Sequence, residues 1–293
     1  MTNSLARDGI RRLVSFYSAI GRPLTLLEIH RAAHPNSTEL VSTLEDVERM
    51  CREKTLISQD GFYIAPPAPV NFSLNRRIQD CILDKKWKRL MRLGKWFAHI
   101  PFIEFVLVNG SMALGNVTAS SDFDVLICVR GGRIFTARYA ALFIFTLLGA
   151  RRTKDRENDD PDKLCFNHFV TEKMFVKPPF NEYRYSLYRA MIPFWGNPEK
   201  IKNFFDANEW CNPPDMHFGD LQYQGNDRGA VRKFLENALS RTLGEWFEQK
   251  ILKPIAWRRL RKYIDAQHTQ GRIALSDDEL EFHFNLSGEK RFS

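Results

Sequence analysis

Residues 106–127 constrain the fold of this chain more than any other stretch. An apolar run, Val106-Leu107-Val108, leads into Asn109-Gly110-Ser111; after ten intervening residues Asp122-Phe123-Asp124 opens a second apolar run, Val125-Leu126-Ile127. Side chains alternate along a strand, so Asp122 and Asp124 share one face while Phe123 points into the opposite layer. Two carboxylates side by side are costly unless a cation lies between them, and carboxylate oxygens are the donors that Mg²⁺ prefers. A Gly-Ser turn opening a helix offers backbone N–H groups and a hydroxyl to an anion such as a triphosphate. Together these features predict a metal–nucleotide site.

The order Gly-Ser, a ten-residue gap, then Asp-apolar-Asp on a strand resembles the DNA polymerase β-type nucleotidyltransferase superfamily, over roughly residues 103–172. Gly-Ser or Asp-x-Asp alone says little; their spacing and apolar flanks carry the signal. The resemblance implies that Gly110 and Ser111 hold a nucleoside triphosphate and that Asp122 and Asp124 are catalytic and hold one or two Mg²⁺ ions. It further implies a third acid from a later strand. The strand predicted at residues 164–171 is the place for it, yet its central polar residues are Asn167 and His168. Asn167 falls at the third-acid position, where an amide ligates through oxygen but is no general base. The alternatives are two acids alone, recruitment of Glu172 at the strand's end, or nucleotide binding without turnover; Asp162 lies just before the strand's start. Asn116, in the loop before the acidic strand, is a further nucleotide-binding candidate or a turn cap. His168 reads as a buried strand histidine rather than a ligand.

With 293 residues, 44% hydrophobic and 27% charged, the composition is that of a globular protein of two or three domains. The first residues lack an apolar h-region, which argues against a secretory signal. The five cysteines and seven histidines are scattered without metal spacing, so the thiols read as reduced and the protein as cytoplasmic. The apolar residues 134–150 read as a helix packed on the sheet rather than a membrane span, and no membrane partner is expected.

The formal net charge of +8 suits a polyanionic partner such as RNA. Two basic runs interleaved with aromatics carry it: six bases and one acid in residues 81–95, ten bases and three acids in residues 228–262. Such runs either track a phosphate backbone with stacking aromatics or put Lys and Arg on the wet side of a helix with Trp in the core.

Residues 1–66 read as three helices and a hairpin around Asp60-Gly61, which resembles a winged helix-turn-helix. Thr25 and Glu28 have capping-box spacing, and Ser37 or Thr38 opens the third helix. That helix carries Glu39, Glu45, Asp46, Glu48, Arg49, Arg52 and Glu53, an acidic balance that argues against reading DNA and for a protein partner or self-association. Residues 67–100 read as a Pro-rich linker and a basic helix, 101–180 as the nucleotidyltransferase domain, and 181–293 as a helical region with a polar end. The fold expected is α/β (α+β): a mixed sheet with helices, a winged-helix-like module before it and helices after it. The function expected is transfer of a nucleoside monophosphate from an NTP to a hydroxyl of RNA, a small molecule or a protein. Two alternatives stand beside it, a catalytically reduced nucleotide-binding regulator and a DNA-binding regulator acting through residues 1–66.

Overall fold

The computed structural model describes residues 2–33, 40–152, 161–176, 182–211, 222–266 and 272–283. It is a mixed α/β protein in two compact units: residues 1–84 with 115–118, and residues 85–114 with 119–293.

The first unit holds α1 (Thr2–Ala19), β1 (Leu24–Thr25), α2 (Leu26–Ala33), α3 (Leu40–Arg52), β2 (Ile57–Gln59) and β3 (Phe62–Ile64), with the three strands antiparallel in the order β1-β3-β2. Ile10, Val14, Ile29, Val47 and Met50 meet in its core at helical spacing. The hairpin turn places both Asp60 (φ 52°) and Gly61 (φ 80°) in the left-handed region, the geometry whose twist suits a two-residue loop. Both halves of the capping box form: Thr25 Oγ1 accepts from Glu28 N (3.2 Å), and Glu28 Oε2 accepts from Thr25 N (2.8 Å). The proposed start of the third helix at Ser37 or Thr38 lies outside the described residues.

α4 (Phe72–Gly94) begins in the first unit and ends in the second. The second unit continues with β4 (Ile103–Val108), α5 (Gly110–Leu114), β5 (Phe123–Val129), α6 (Ile134–Leu147), β6 (Leu164–Val170), α7 (Glu182–Arg189), β7 (Ile192–Gly196), α8 (Pro198–Asp206), α9 (Ala230–Leu239), α10 (Thr242–Phe247), α11 (Lys253–Ala266), β8 (Arg272–Leu275) and β9 (Glu279–His283). The six-stranded sheet runs β7-β4-β5-β6-β9-β8; β5 and β6 are parallel, joined through α6, and every other neighbouring pair is antiparallel. Phe105 and Leu107 of β4, Leu126 and Cys128 of β5 and Val170 of β6 pack one sheet face against Tyr188, Ile201 and Phe204 of α7 and α8. On α6, Phe145 packs on Phe97 and Phe166, with ring centroids 5.2 Å apart in each case. No helix among the described residues is long and apolar enough to cross a membrane.

The region after residue 181 is not purely helical, which corrects the expectation. Residues 192–196 form a strand and not the end of a helix; β7 lies at the sheet edge, where Pro193 removes no ladder donor that a neighbour needs. The supposed polar end forms β9, with Leu280 and Phe282 buried on one face and the acids Glu279 and Glu281 on the other. The second basic run does not put all of its Lys and Arg on the wet side. α9 turns its polar side inward: Arg232 is wholly buried, bonded to Glu236 (2.7 Å) and to Ile103 O, while Val231 and Phe234 are exposed. Trp246 of α10 is likewise exposed. The chain breaks at Ser240–Arg241, and a π-turn over Glu248–Leu252 precedes Pro254, absorbing the missing N–H.

Candidate metal–nucleotide site

β4 ends where Asn109 N donates to Asp124 O (2.9 Å), so the Gly-Ser turn is stitched to the acidic strand by one more rung of the β4–β5 ladder. Gly110 follows with φ 62°, a region a residue with a side chain enters at a cost. A Cβ on Gly110 would lie 3.0 Å from Asp124 Cβ and Cγ and closer still to Oδ2. The turn therefore needs glycine twice, for its backbone angle and for the close approach of the Asp124 carboxylate. α5 is a single short helix of five residues, so the turn offers first-turn N–H groups and the Ser111 hydroxyl rather than a long helix dipole.

Asp122 and Asp124 flank buried Phe123, and both acids are partly exposed. Parallel pairing sets Cys165 of β6 opposite Asp124, while the next pair is Leu126 with His168. Two residues advance on β5 for three on β6, so β6 carries one extra residue, a bulge that contains Asn167. Ligand atoms of Asp122, Asp124 and Cys165 all lie within 4.8 Å of one another. Burial, then the charges of Asp124 and Asp122, pushes the Cys165 thiol well above its usual range, against the pull of Arg152. The Arg152 guanidinium, half-exposed, ion-pairs Asp122; burial works against its charge, but Asp122 holds its pKa above the usual value.

The approach to Asp122 is pinned from behind. Lys86, the one buried base of the first basic run, donates to Ser121 O (2.6 Å), Ala119 O (3.2 Å) and Asp162 Oδ1 (2.6 Å). Asp162, itself left-handed at φ 61°, returns its N–H to Ser121 O (3.2 Å). Sequence reasoning saw Lys86 only as one more positive charge; a lysine at a helical position facing a sheet was the signal available.

The remaining candidates have the following places. Asn116 belongs to the first unit, where Nδ2 donates to Ile20 O (3.4 Å). Asn167 sits half-buried in the β6 bulge, and Glu172 pairs with Lys200 and is mostly exposed. Asp162 serves Lys86 and Arg89. His168 is buried between Glu279 (Nε2, 3.4 Å) and Glu281 (Nδ1, 3.7 Å), a second group of potential ligands that the spacing of the sequence does not announce.

The donor set of two carboxylates and a thiol beside a glycine turn fits a divalent cation. Comparisons with protein-family models, curated proteins and solved structures find no significant match to this chain.

Proposed function

We propose that the chain is a metal-dependent nucleotidyltransferase of the DNA polymerase β type, moving a nucleoside monophosphate from an NTP to a hydroxyl of RNA, a small molecule or a protein. The observation that carries this reading is the close approach of the Gly110 turn to the Asp124 carboxylate, which leaves no room for a Cβ at Gly110 and brings the turn beside the acid strand. Asp122 and Asp124 hold the cation, Mg²⁺ on the resemblance, by their shared strand face. When bound, it neutralises triphosphate charge and lowers the pKa of the attacking hydroxyl. Gly110 and Ser111 bind the terminal phosphates through backbone N–H groups and the Ser111 hydroxyl. Arg152, half-exposed and paired with Asp122, would supply a guanidinium to a phosphate once a cation is held by the acids. Lys86 and Asp162 hold the backbone before Asp122, so the acids meet the substrate in fixed geometry.

A second reading, nucleotide binding without turnover, is favoured by Cys165, because a thiol and not a carboxylate stands opposite Asp124. The DNA-binding reading gains no support: Glu45 and Glu48 of α3 are exposed. Incubation with divalent metal, each α-labelled ribonucleoside triphosphate, and RNA, protein or a pool of small hydroxyl compounds as acceptor separates the first two. Label moving to acceptor and lost in Asp124→Ala supports transfer. Nucleotide binding with no label moved, over all acceptors, overturns it in favour of the second reading.

A further inference from the structure

The third place in the acid cluster belongs to a sulfur atom, and this bears on which ion the cluster takes. Oxygen-only sets suit Mg²⁺, whereas a thiolate draws ions of borderline softness and is a poor donor to Mg²⁺. Cys165 is set opposite Asp124 by the parallel β5–β6 register, and its ligand atom lies within 4.8 Å of those of Asp122 and Asp124. A separate observation lies on the same face of the sheet. The alternation that pairs Leu107 with Leu126 sets Asn109 on the face of Asp124, and Asn109 N donates to Asp124 O. Asn109 is 7% exposed, and its buried Oδ1 has no hydrogen-bond partner among the described residues. A buried amide oxygen left unpaired is costly, and a cation held by the neighbouring acids would satisfy it.

We propose that Asp122, Asp124 and Cys165, with Asn109 Oδ1 as a fourth donor, form a cation site that selects a sulfur-accepting divalent ion, of the class of Zn²⁺ or Co²⁺, over Mg²⁺. This rests on the reading of the acid pair as a cation site and not on turnover. As the metal–sulfur bond forms, the S–H bond breaks and its proton leaves to solvent; nothing is oxidised or reduced. The carboxylates become ligands of the same ion, and Arg152 is released from Asp122.

The test uses the full chain carrying Cys81→Ser, since Cys81 is an exposed thiol that would bind metal on its own. Co²⁺ is titrated in and sulfur-to-metal charge transfer is followed in the near ultraviolet. The expected result is a band that saturates at a single equivalent, withstands a large excess of Mg²⁺, and is lost in Cys165→Ser and in Asp124→Asn. In Cys165→Asp the band is absent and Mg²⁺ competes with Co²⁺. Absence of a band, or a band that survives Cys165→Ser, overturns the proposal. A measurement free of site variants stands beside it: alkylation at Cys165, read by peptide mass, is blocked by Co²⁺ and not by Mg²⁺. Equal alkylation in both also overturns it. A protein that gives the band but moves no label from NTP fails as a transferase and keeps this site; label moving with Mg²⁺ in a protein that gives no band does the reverse.

Discussion

Lys86→Met keeps the apolar stem of the side chain and removes its charge. Lys86 is 4% exposed and lies 5.9 Å from the centroid of Phe123 as well as within bonding distance of Ser121 O, Ala119 O and Asp162. One bond is to a charged partner, worth about 1.5–3 kcal/mol, and two are to carbonyls, worth about 1 kcal/mol each. The sum agrees with the roughly 3–5 kcal/mol lost when one partner of a buried pair is removed. Asp162 remains a quarter exposed and keeps Arg89 at 3.3 Å, which moves the expectation to the lower end, about 3 kcal/mol. For a unit of this size that is about 6–12 °C in the melting temperature. The assay is thermal unfolding of Lys86→Met, Asp162→Asn and the double variant at one pH. The combined loss is expected to be smaller than the sum of the single losses, as for any shared interaction. A melting shift below about 2 °C for Lys86→Met, or strict additivity, would refute the role given to this lysine.

Gly110→Ala is expected to cost about 1–2 kcal/mol in left-handed strain and also to displace the Asp124 carboxylate, abolishing divalent binding. Gly61→Ala is its control, because Gly61 is also left-handed but a Cβ there meets open space; equal metal binding by both variants would sink the reading. Arg152→Ala removes a half-exposed cation from Asp122, so a competition titration should show divalent affinity rising about two- to fivefold, less at high salt. In the first unit, burial opposes ionisation of Glu28, but its hydrogen bonds from Arg76 (2.8 and 2.9 Å) and Thr25 bring its pKa below the usual carboxylate value. A lowered folded pKa means that this stability is present above the ordinary range near pH ~4.3 and is lost as pH falls through the folded value. Glu28→Gln should therefore destabilise at neutral pH and flatten the acid limb of a pH–melting curve; an unchanged limb would count against it.

The mixed sheet and the hairpin at Asp60-Gly61 were legible because apolar alternation and turn chemistry are local. The pairing of strands is not local, and that is where reading stopped. Asn167 stands in the sequence as the central polar residue of β6, but the bulge shifts the register and puts Cys165 opposite Asp124. Likewise β9 alternates Leu280 and Phe282 with two glutamates whose neighbour, His168, lies more than a hundred residues earlier; without that neighbour the segment reads as a polar tail. α9 misleads for a related reason: a buried Arg232–Glu236 pair has the same spacing as a solvated one, and only the backbone groups of Phe102 and Ile103 that it serves tell them apart.

On the proposed reading, Asp122, Asp124 and the Gly110–Ser111 turn form one metal–nucleotide site. Calorimetric titration of the full chain with a nucleoside triphosphate, with and without divalent metal, tests it before any acceptor is known. Binding that requires the metal and disappears in Asp124→Asn, with the melting curve retained, is the predicted result. Binding that is equally strong in chelator, or unchanged in Asp124→Asn, would contradict the account.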